Sequence, residues 1–284
     1  MATPSRLRRT VVRGVLAVAL VTGVLMGILW TFQRQLIYYP DPSAVPPAAD
    51  VIAGARDVTL HTSDGLKLGA WFLPAPAESR PGGDMAVLFA PGNGGNRLGR
   101  ADFAVELQRR GFAVLLMDYR GYGGNPGSPS ESGVAADAIA AVDALAELGY
   151  PPESTIYFGE SLGTGVVATL QEERPPAGVV LRSPFTELAD VGAQHYPWLP
   201  VRLLLRDRFP VLELVAMSDV PTTVIYGDRD LVVPTWLSAR VADGAASLHE
   251  EVVLEGADHN DGVMFGPRVA DAVARLAEEV HSGT

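Results

Sequence analysis

The sequence contains no cysteine in its 284 residues, which excludes disulfide bonds, thiolate zinc sites and cysteine nucleophiles. Charge is also scarce, because charged residues make up 19% of the chain while apolar residues make up 48%. This balance supports a packed core and excludes a wholly disordered chain. No repeat with a period of about 20–50 residues is visible, which argues against a solenoid. The length leaves room for one large domain or two small ones.

The few charges are unevenly distributed. Five of the 22 basic residues and none of the 33 acidic residues fall within residues 1–40. The rest of the chain therefore carries 17 basic and 33 acidic residues, a net charge of −16. A body this acidic repels a phosphate backbone, so we expect no nucleic-acid partner.

The basic N-terminal part precedes a long uncharged run. Residues 14–33 contain no charged side chain, and this run of 20 residues spans about 30 Å as a helix, roughly the hydrocarbon core of a bilayer. The arginines before the run should stay in the cytoplasm and direct the rest of the chain outward. We therefore expect a cytoplasmic basic segment at 1–13, a transmembrane anchor at 14–33, and the remainder on the extracytoplasmic side of the cell membrane. The arginines concerned are Arg6, Arg8, Arg9 and Arg13.

A cleaved signal peptide has the same charged start and apolar run, and it would give a secreted protein. However, no small-x-small cleavage site follows the run, because residues 30–34 read Trp-Thr-Phe-Gln-Arg. Trp30, Tyr38 and Tyr39 also suit the far membrane interface, where aromatic side chains concentrate. An uncleaved anchor is therefore the favoured interpretation, and secretion is the alternative.

The remaining chain divides into a tether and one large domain. Residues 34–55 contain several prolines among small residues, which predicts an extended tether. From residue 56 to residue 284, short apolar runs alternate with amphipathic runs of helical length. This alternation predicts a mostly parallel, doubly wound sheet of eight strands with helices on both faces, entered by two antiparallel strands. The predicted strands cover residues 58–61, 66–73, 85–90, 113–118, 155–158, 178–181, 222–226 and 251–254, and the predicted helices cover residues 97–110, 131–148, 162–173, 234–243 and 267–280.

The alternation breaks between residues 186 and 219, which we expect to form a small cap. Within this segment, residues 201–209 combine three arginines with several leucines in an otherwise acidic domain. A helix that covers the sheet is the simpler interpretation. The alternative is a lid whose arginines face anionic lipid headgroups.

One motif carries candidate chemistry. Residues 159–163 read Gly-Glu-Ser-Leu-Gly, which fits G-x-S-x-G and falls between a predicted strand and a predicted helix. The two glycines allow a sharp turn that leaves the hydroxyl of Ser161 exposed at the start of the helix. A serine hydroxyl becomes a useful nucleophile when a neighbouring base takes its proton. The alternative is a glycine-rich strand end with a capping serine.

The order of the acid and the histidine favours catalysis. In an α/β-hydrolase, the serine is followed along the chain by an acidic residue and then by a histidine, each after a later strand. Asp230 follows the seventh predicted strand and His259 follows the eighth. Asp228, two residues before Asp230, is an alternative acid, and Glu187 and Asp190 after the sixth strand are a second one.

Two backbone N–H groups must also stabilise the oxyanion that forms during acyl transfer. One should belong to Leu162, the residue after the nucleophile. The other should come from the loop after the third predicted strand, which reads Pro-Gly-Asn-Gly-Gly-Asn at 91–96. We predict the amide of Asn93 as this second donor, with Gly94 as the alternative.

These motifs resemble those of the membrane-anchored serine hydrolases of the α/β-hydrolase superfamily. The resemblance runs from about residue 32 to residue 280, and its nearest branch is serine aminopeptidase-like, with protein depalmitoylases and lysophospholipid lipases among its members. It assigns the roles of nucleophile, acid and base to Ser161, Asp230 and His259. Pro91 departs from the pattern, which commonly has histidine there. The resemblance rests on residues 33–40, 92–96, 118–123, 159–163 and 183–185 and on the loops around Asp230 and His259.

The resemblance implies a membrane-anchored serine hydrolase that cleaves ester, thioester or lipid acyl bonds through an acyl-enzyme on Ser161. Its partners would be a small-molecule or lipid acyl substrate and the membrane, and it would need no metal or cofactor. Asp258 and Asp261 flank His259 but lack a second histidine at ligand spacing, so a metal site is not expected. A serine peptidase of the same fold and a non-catalytic anchored scaffold are the alternatives.

Overall fold

The computed structural model describes residues 4–76 and 85–282, with side chains from residue 8 onward. Residues 1–3 and the side chain of Arg6, both part of the predicted basic segment, lie outside the described residues. The α-helices are α1 (Pro4–Ile37), α2 (Ala48–Val51), α3 (Ala101–Gln108), α4 (Glu131–Glu147), α5 (Leu162–Glu173), α6 (Leu188–His195), α7 (Val201–Leu204), α8 (Val211–Ala216), α9 (Thr235–Gly244) and α10 (Pro267–Ser282). The strands are β1 (Tyr39–Pro40), β2 (Arg56–His61), β3 (Lys67–Leu73), β4 (Ala86–Ala90), β5 (Gly94–Gly95), β6 (Ala113–Met117), β7 (Thr155–Glu160), β8 (Gly178–Arg182), β9 (Thr222–Gly227) and β10 (Leu248–Leu254).

Eight of these strands form one sheet, in the spatial order β10-β9-β8-β7-β4-β6-β3-β2. Only β3 runs antiparallel to its neighbours in this sheet, and every other pair is parallel. The turn between β2 and β3 contains Gly65 at φ 89°, a conformation that favours glycine. The predicted mostly parallel sheet with an antiparallel entry is therefore confirmed.

The central strands are buried along their whole length because helices cover both faces of the sheet. Every residue of β4, β6, β7 and β8 is buried. One face packs against α4, α5, α8 and α9, and the other packs against α3 and α10. Continuous apolar runs such as that of β4 are what doubly covered parallel strands require.

Two of the predicted elements differ from their predicted bounds by more than two residues. The helix predicted over 97–110 begins as a separate 3₁₀ turn, Arg97–Arg100, because the side chain of Asn96 caps that turn by accepting a hydrogen bond from the Leu98 N–H at 3.1 Å. The last strand begins at Leu248 instead of residue 251. This strand lies at the edge of the sheet, where some of its positions are exposed and accept charged side chains. Because of these charges, its first residues do not form an apolar run, and sequence analysis placed its start too late.

The N-terminal helix α1 is long and apolar. Within the described part of the chain, Arg8–Ile37 is the one helix that could cross a membrane by length and composition. Its most apolar window has a mean hydropathy of 2.3, and none of that window is buried. Its side chains over most of this length are therefore not covered by the domain.

The segment 34–55, predicted to be an extended tether, packs against the domain in the structure. Tyr39–Pro40 pairs in parallel with Gly94–Gly95 beside the predicted oxyanion loop. Ala48 at the start of α2 is fully buried, and its N–H lies 3.2 Å from a carboxylate oxygen of Asp57. The apolar residues between the prolines give this segment a face that packs on the core, which composition alone did not reveal.

The cap at 186–219 consists of three short helices, α6, α7 and α8. Residues 201–209, for which a helix covering the sheet was the simpler interpretation, are helical only over Val201–Leu204. Arg202 forms ion pairs with Glu187, at 2.8 Å, and with Asp190. The guanidinium of Arg206 lies over the ring of Trp30, with 4.9 Å between its Cζ and the ring centroid. Arg202 and Arg206 thus have partners within the protein, although the side chain of Arg202 remains 63% exposed, and the lid alternative stays a prediction.

Candidate active site

Ser161 occupies the turn between β7 and α5. Its backbone has φ 50° and ψ −113°, a strained conformation for a residue with a side chain. The flanking glycines are needed for close packing: a Cβ on Gly159 would lie 2.6 Å from the carbonyl oxygen of Gly163, and one on Gly163 would overlap the carbonyl of Ala90. The motif therefore forms the sharp strand-to-helix turn that presents a nucleophilic serine in α/β-hydrolases.

His259 and Asp230 form a buried pair. The Nδ1 of His259 lies 2.7 Å from Oδ2 of Asp230, and their exposed fractions are 5% and 6%. The other carboxylate oxygen, Oδ1, accepts hydrogen bonds from the N–H groups of Val232 at 2.9 Å and Val233 at 2.7 Å. Both oxygens of Asp230 are therefore occupied, and this fixes the carboxylate against the imidazole.

The sheet topology explains why these residues share one edge. Strands β7, β8, β9 and β10 are consecutive and parallel, so their carboxyl ends meet at the same side. Ser161 follows β7, Asp230 follows β9 and His259 follows β10. Among the described residues, the hydroxyl of Ser161 has no hydrogen-bond partner within 3.5 Å, so the structure pairs the candidate acid with the candidate base and leaves the candidate nucleophile unpaired beside the cavity.

The alternative acids have other partners. Asp228 is exposed and accepts a hydrogen bond from the Gly256 N–H at 2.6 Å, which joins two loops. Glu187 and Asp190 are occupied by Arg202 of the cap. None of the three carboxylates contacts His259, so the geometry favours Asp230 among the four candidates.

Asp258 next to the base joins the two loops that carry Asp230 and His259. One of its carboxylate oxygens accepts hydrogen bonds from the N–H groups of Leu231 at 2.9 Å and His259 at 2.7 Å, and these bonds lower the pKa of Asp258. Within the described residues, no group of three or more His, Asp or Glu side chains could hold a metal ion. Asp258 thus has a structural explanation that requires no metal.

The predicted oxyanion donors both lie at the cavity wall. Leu162 is the first residue of α5, where backbone N–H groups have no partner inside the helix. Asn93 is held on three sides: its carbonyl accepts hydrogen bonds from the Tyr39 N–H and the Tyr122 hydroxyl, both at 2.8 Å, and its side chain donates to the Ile37 carbonyl at 2.7 Å. In the described part of the chain, neither the Leu162 amide nor the Asn93 amide donates a hydrogen bond. Both amides are therefore available to a substrate oxygen.

A largely buried ionic network surrounds Glu160, the residue before Ser161, and sequence analysis did not assign it. The carboxylate of Glu160 accepts two hydrogen bonds from Arg100, at 2.8 and 2.6 Å, and forms an ion pair with Arg182 at 3.0 Å. Burial raises the pKa of Glu160, but the charges of Arg182 and Arg100 outweigh it and hold that pKa below its ordinary value. The signal available in the sequence was a charged residue at the end of an otherwise apolar buried strand.

The same network reaches the base. Arg182 is fully buried and donates a hydrogen bond to the backbone carbonyl of His259 at 2.9 Å. Its guanidinium also lies over the ring of Phe265, 4.4 Å from the centroid. Arg182 therefore connects the residue before the nucleophile to the backbone of the proposed base.

An apolar cavity of about 340 Å³ lies against Ser161 and Leu162. Side chains of the cap form one wall of the cavity. The last turns of α1, which sequence analysis treated only as an anchor, form another part of the lining. The α1 residues concerned are Leu29, Trp30, Gln33, Leu36 and Ile37.

Gln33 joins this helix wall to the cap. Its Nε2 donates to the carbonyl of Leu204 at 3.1 Å, and its Oε1 accepts from the N–H of Arg206 at 2.7 Å. The side chain is buried, so both ends of a polar group inside an apolar run are satisfied. A polar residue at that position was the one sign in the sequence that the helix end has a protein partner.

A second set of contacts reinforces this junction. Arg34 donates two hydrogen bonds to the carboxylate of Asp207, at 3.0 and 3.1 Å, and the Tyr38 hydroxyl donates to it at 3.0 Å. Burial and the charge of Asp207 raise the pKa of Tyr38, so its hydroxyl remains a donor. The bonds from Gln33, Arg34 and Tyr38 to residues 204–207 are termed the helix–cap contact below.

Comparisons with other proteins identify the family. Residues 83–214 match the model of the serine aminopeptidase, S33, family. The chain is 48% identical over 264 residues to an uncharacterized Mycobacterium tuberculosis protein, Rv2307c, covering 92% of this chain and 93% of the relative. It is also 27% identical over 231 residues to the α/β-hydrolase domain-containing protein WAV2 of Arabidopsis thaliana, covering 74% of each chain.

Solved structures share the fold. The Pyrococcus furiosus esterase Pf2001 superimposes with a TM-score of 0.67 at 20% identity, covering 86% of this chain and 99% of the esterase. The esterase domain of a Rhodothermus marinus protein superimposes with a TM-score of 0.60 at 21% identity, covering 79% of this chain and 98% of that domain. Together with the strained serine turn and the order of the three candidate residues, these relationships confirm the family resemblance. The chain belongs to the serine aminopeptidase S33-like family of α/β-hydrolases.

Proposed function

We propose that this α/β-hydrolase is a membrane-anchored serine esterase or thioesterase that acts through an acyl-enzyme on Ser161. The observation that carries the proposal is the position of Ser161: it stands on a strained turn, lines an apolar cavity, and follows a strand in the same parallel array that precedes the buried pair of Asp230 and His259. The strain supports a functional role, since such a conformation is costly to maintain.

The proposed chemistry follows from these groups. The hydroxyl of Ser161 attacks the acyl carbonyl while Nε2 of His259 accepts its proton, and Asp230 holds the imidazole in the required tautomer. The amides of Leu162 and Asn93 stabilise the oxyanion of the tetrahedral intermediate. His259 then returns the proton to the leaving group, and a water molecule activated by the same base hydrolyses the acyl-enzyme.

The cavity favours acyl substrates over peptides. Its described lining contains no aspartate or glutamate that could bind the amino terminus of a peptide, and most of its lining side chains are apolar. An apolar wall stabilises a hydrocarbon chain by removing it from water. An acidic subsite for a peptide amino terminus is absent from the described lining, which supports an acyl substrate over the aminopeptidase alternative.

The anchor is proposed to stay attached and to span the cell membrane, with the catalytic domain on the extracytoplasmic side. Cleavage after the apolar run would remove Leu29, Trp30 and Gln33, which form part of the cavity wall, and with Gln33 its bonds to the cap. The basic residues before the run support the orientation. A reporter fused to the carboxyl terminus that functions only outside the cytoplasm should be active, and activity of a cytoplasm-only reporter there would contradict the orientation.

The direct test of the chemistry is Ser161→Ala in the full chain. We expect loss of labelling by a fluorophosphonate probe and a decrease in kcat for 4-nitrophenyl acetate of about 10³-fold or more. Ser132→Ala, which changes an exposed serine at the start of α4, should label and react like the wild type. Full activity of a folded Ser161→Ala variant would defeat the proposal, and absence of labelling in the wild type would favour a non-catalytic scaffold.

A further inference from the structure

We infer that the cavity is an acyl-chain site whose outer wall is the anchor helix itself, so that the substrate is a membrane-resident ester or thioester with one long acyl chain. The inference rests on the proposed function. It adds the class of substrate and the residues that limit the length of the bound acyl chain. It assigns α1 a second role, because the helix then both anchors the enzyme and binds its substrate.

The helix contributes one continuous face to the cavity. Its lining residues fall at 29, 30, 33, 36 and 37, the spacing that places side chains on one side of a helix. Gln33 is the polar member of this set, and the helix–cap contact satisfies both ends of its amide. The face that an acyl chain would meet is therefore apolar along its length.

The two ends of this face differ in their surroundings. Ile37 lies next to the catalytic edge, because its carbonyl accepts the hydrogen bond from the Asn93 side chain at 2.7 Å. Leu29 lies eight residues earlier, about 12 Å away along the helix axis. Before Leu29, helix residues such as Leu25 and Val24 are exposed on the bare part of the helix. The cavity therefore leads from the nucleophile toward the segment proposed to lie in the bilayer.

The exposed side chains of the cap also indicate that the cavity leads toward the bilayer. Leu203 and Trp198 have exposed fractions of 85% and 71%, and both lie close in sequence to cap residues that line the cavity. The cap is bonded to Gln33, near the end of the proposed membrane span. At that depth, exposed leucine and tryptophan side chains would meet lipid. The occupant that fits this surface is the bilayer that contains the helix, and the acyl chain would enter the cavity from it.

The length of the helix face sets an expected chain length. An extended chain advances about 3.6 Å for every three bonds, so about 12 Å corresponds to roughly ten bonds. Each methylene buried against apolar walls should favour binding by up to about fourfold. For the full-length wild type in neutral detergent micelles, we expect kcat/KM to rise at least about 100-fold from 4-nitrophenyl acetate to the decanoate and to level off beyond it.

The inference is tested with a substitution that fills the end of the cavity at Leu29, away from Ile37. Leu29→Trp should lower the decanoate-to-acetate ratio of kcat/KM at least tenfold, whereas the matched control Ile28→Trp, which changes an exposed residue outside the cavity lining, should keep the wild-type ratio. Leu29→Ala provides a second variant without added bulk, and its kcat/KM should level off at a longer ester than that of the wild type. Rates are normalised to the fraction labelled by the fluorophosphonate probe, so that misfolded protein does not contribute.

Two failures are distinguishable. If Ser161 does not label and acetate is not hydrolysed, the proposed function is wrong. If acetate is hydrolysed through Ser161 but the wild type shows no gain with chain length, or if both Leu29 variants keep the wild-type ratio and optimum, the acyl-chain site is wrong while the hydrolase proposal stands.

Discussion

The inner wall of the cavity, which carries Ser161, is backed by a largely buried ionic network, whereas the outer wall, formed by α1, is held by apolar contacts and the helix–cap contact. On the inner wall, Glu160 and Arg182 have almost no exposed surface. On the outer wall, Arg34 keeps 38% of its side chain exposed while it pairs with Asp207. The inner wall therefore depends on charges that water cannot screen, and the outer wall depends on contacts that solvent or lipid can reach.

The difference in burial between the two walls follows from their proposed roles. A nucleophile, its base and the oxyanion donors must keep their positions within a fraction of an ångström, because small displacements cost large factors in rate. A wall that binds a flexible hydrocarbon chain needs area more than exact geometry. Changes on the inner wall should consequently cost more than changes on the outer wall, and the three experiments that follow test this order.

The largest effect is expected for Asp230→Asn. An asparagine would leave the imidazole of His259 in the wrong tautomer, and kcat for 4-nitrophenyl acetate should fall by about 10³–10⁴-fold. Asp228→Asn is the matched control, since Asp228 is exposed and bonds only a neighbouring loop, and it should cost less than about tenfold. The reverse result would assign the acid to Asp228, and two mild results would point to Glu187 or Asp190.

The second-largest effect is expected for the ion pairs of Glu160 with Arg100 and Arg182. Glu160→Gln leaves the fully buried guanidinium of Arg182 and the mostly buried one of Arg100 without their counter-charge and should lower the free energy of unfolding by about 3–5 kcal/mol. Glu250→Gln, which removes the partly exposed pair with Arg275, should cost less than about 1 kcal/mol. Chemical denaturation of both variants measures the difference, and equal costs would remove the distinction between the two walls.

The same variant has a defined pH dependence. The pKa of Glu160 is lowered in the folded state from its ordinary value of 4.5. Its stabilisation is therefore fully present above pH 4.5 and is lost as the pH falls through the lower, folded-state pKa. The gap in stability between the wild type and Glu160→Gln should narrow in acid. A gap that widens below pH 4.5 would contradict the role given to the ion pairs.

The smallest effect is expected on the outer wall. Asp207→Asn weakens the bonds to Arg34 and Tyr38 and should lower the free energy of unfolding by about 1–3 kcal/mol. Because the helix wall loosens, the decanoate-to-acetate ratio of kcat/KM should also fall severalfold. Asp219→Asn, at an exposed carboxylate elsewhere in the cap, should change neither quantity. An Asp207→Asn variant with the wild-type ratio would mean that the helix–cap contact does not shape the cavity.

The sequence predicted the elements that depend on local pattern. Continuous apolar runs located the eight strands of the sheet, since a strand covered on both faces requires them. The glycines at 159 and 163 located the nucleophile turn, because close backbone contacts there leave no room for a Cβ. Chain order singled out His259 and left Asp228, Glu187 and Asp190 as alternatives to Asp230, and the structure brings Asp230 and His259 within 2.7 Å of each other.

The short elements could not be predicted in this way. Tyr39–Pro40 and Gly94–Gly95 are two-residue strands whose pairing depends on a partner far along the chain. The three cap helices are four to eight residues long, too short for helical periodicity to show. Their positions come from the apolar faces they cover, and that information is not local.

What the sequence by itself determined is the sheet, the nucleophile turn and the order of the candidate triad, because each depends on neighbours within a few residues or on position along the chain. Only the tertiary structure decided that Arg182 forms a buried ion pair with Glu160 and a hydrogen bond with the backbone of His259. It also decided that the end of α1 lies against the cap. An apolar helix carries the same pattern whether it faces lipid, a core or a ligand cavity. Its partner is fixed by packing between residues more than 150 positions apart, as Gln33 and Leu204 are.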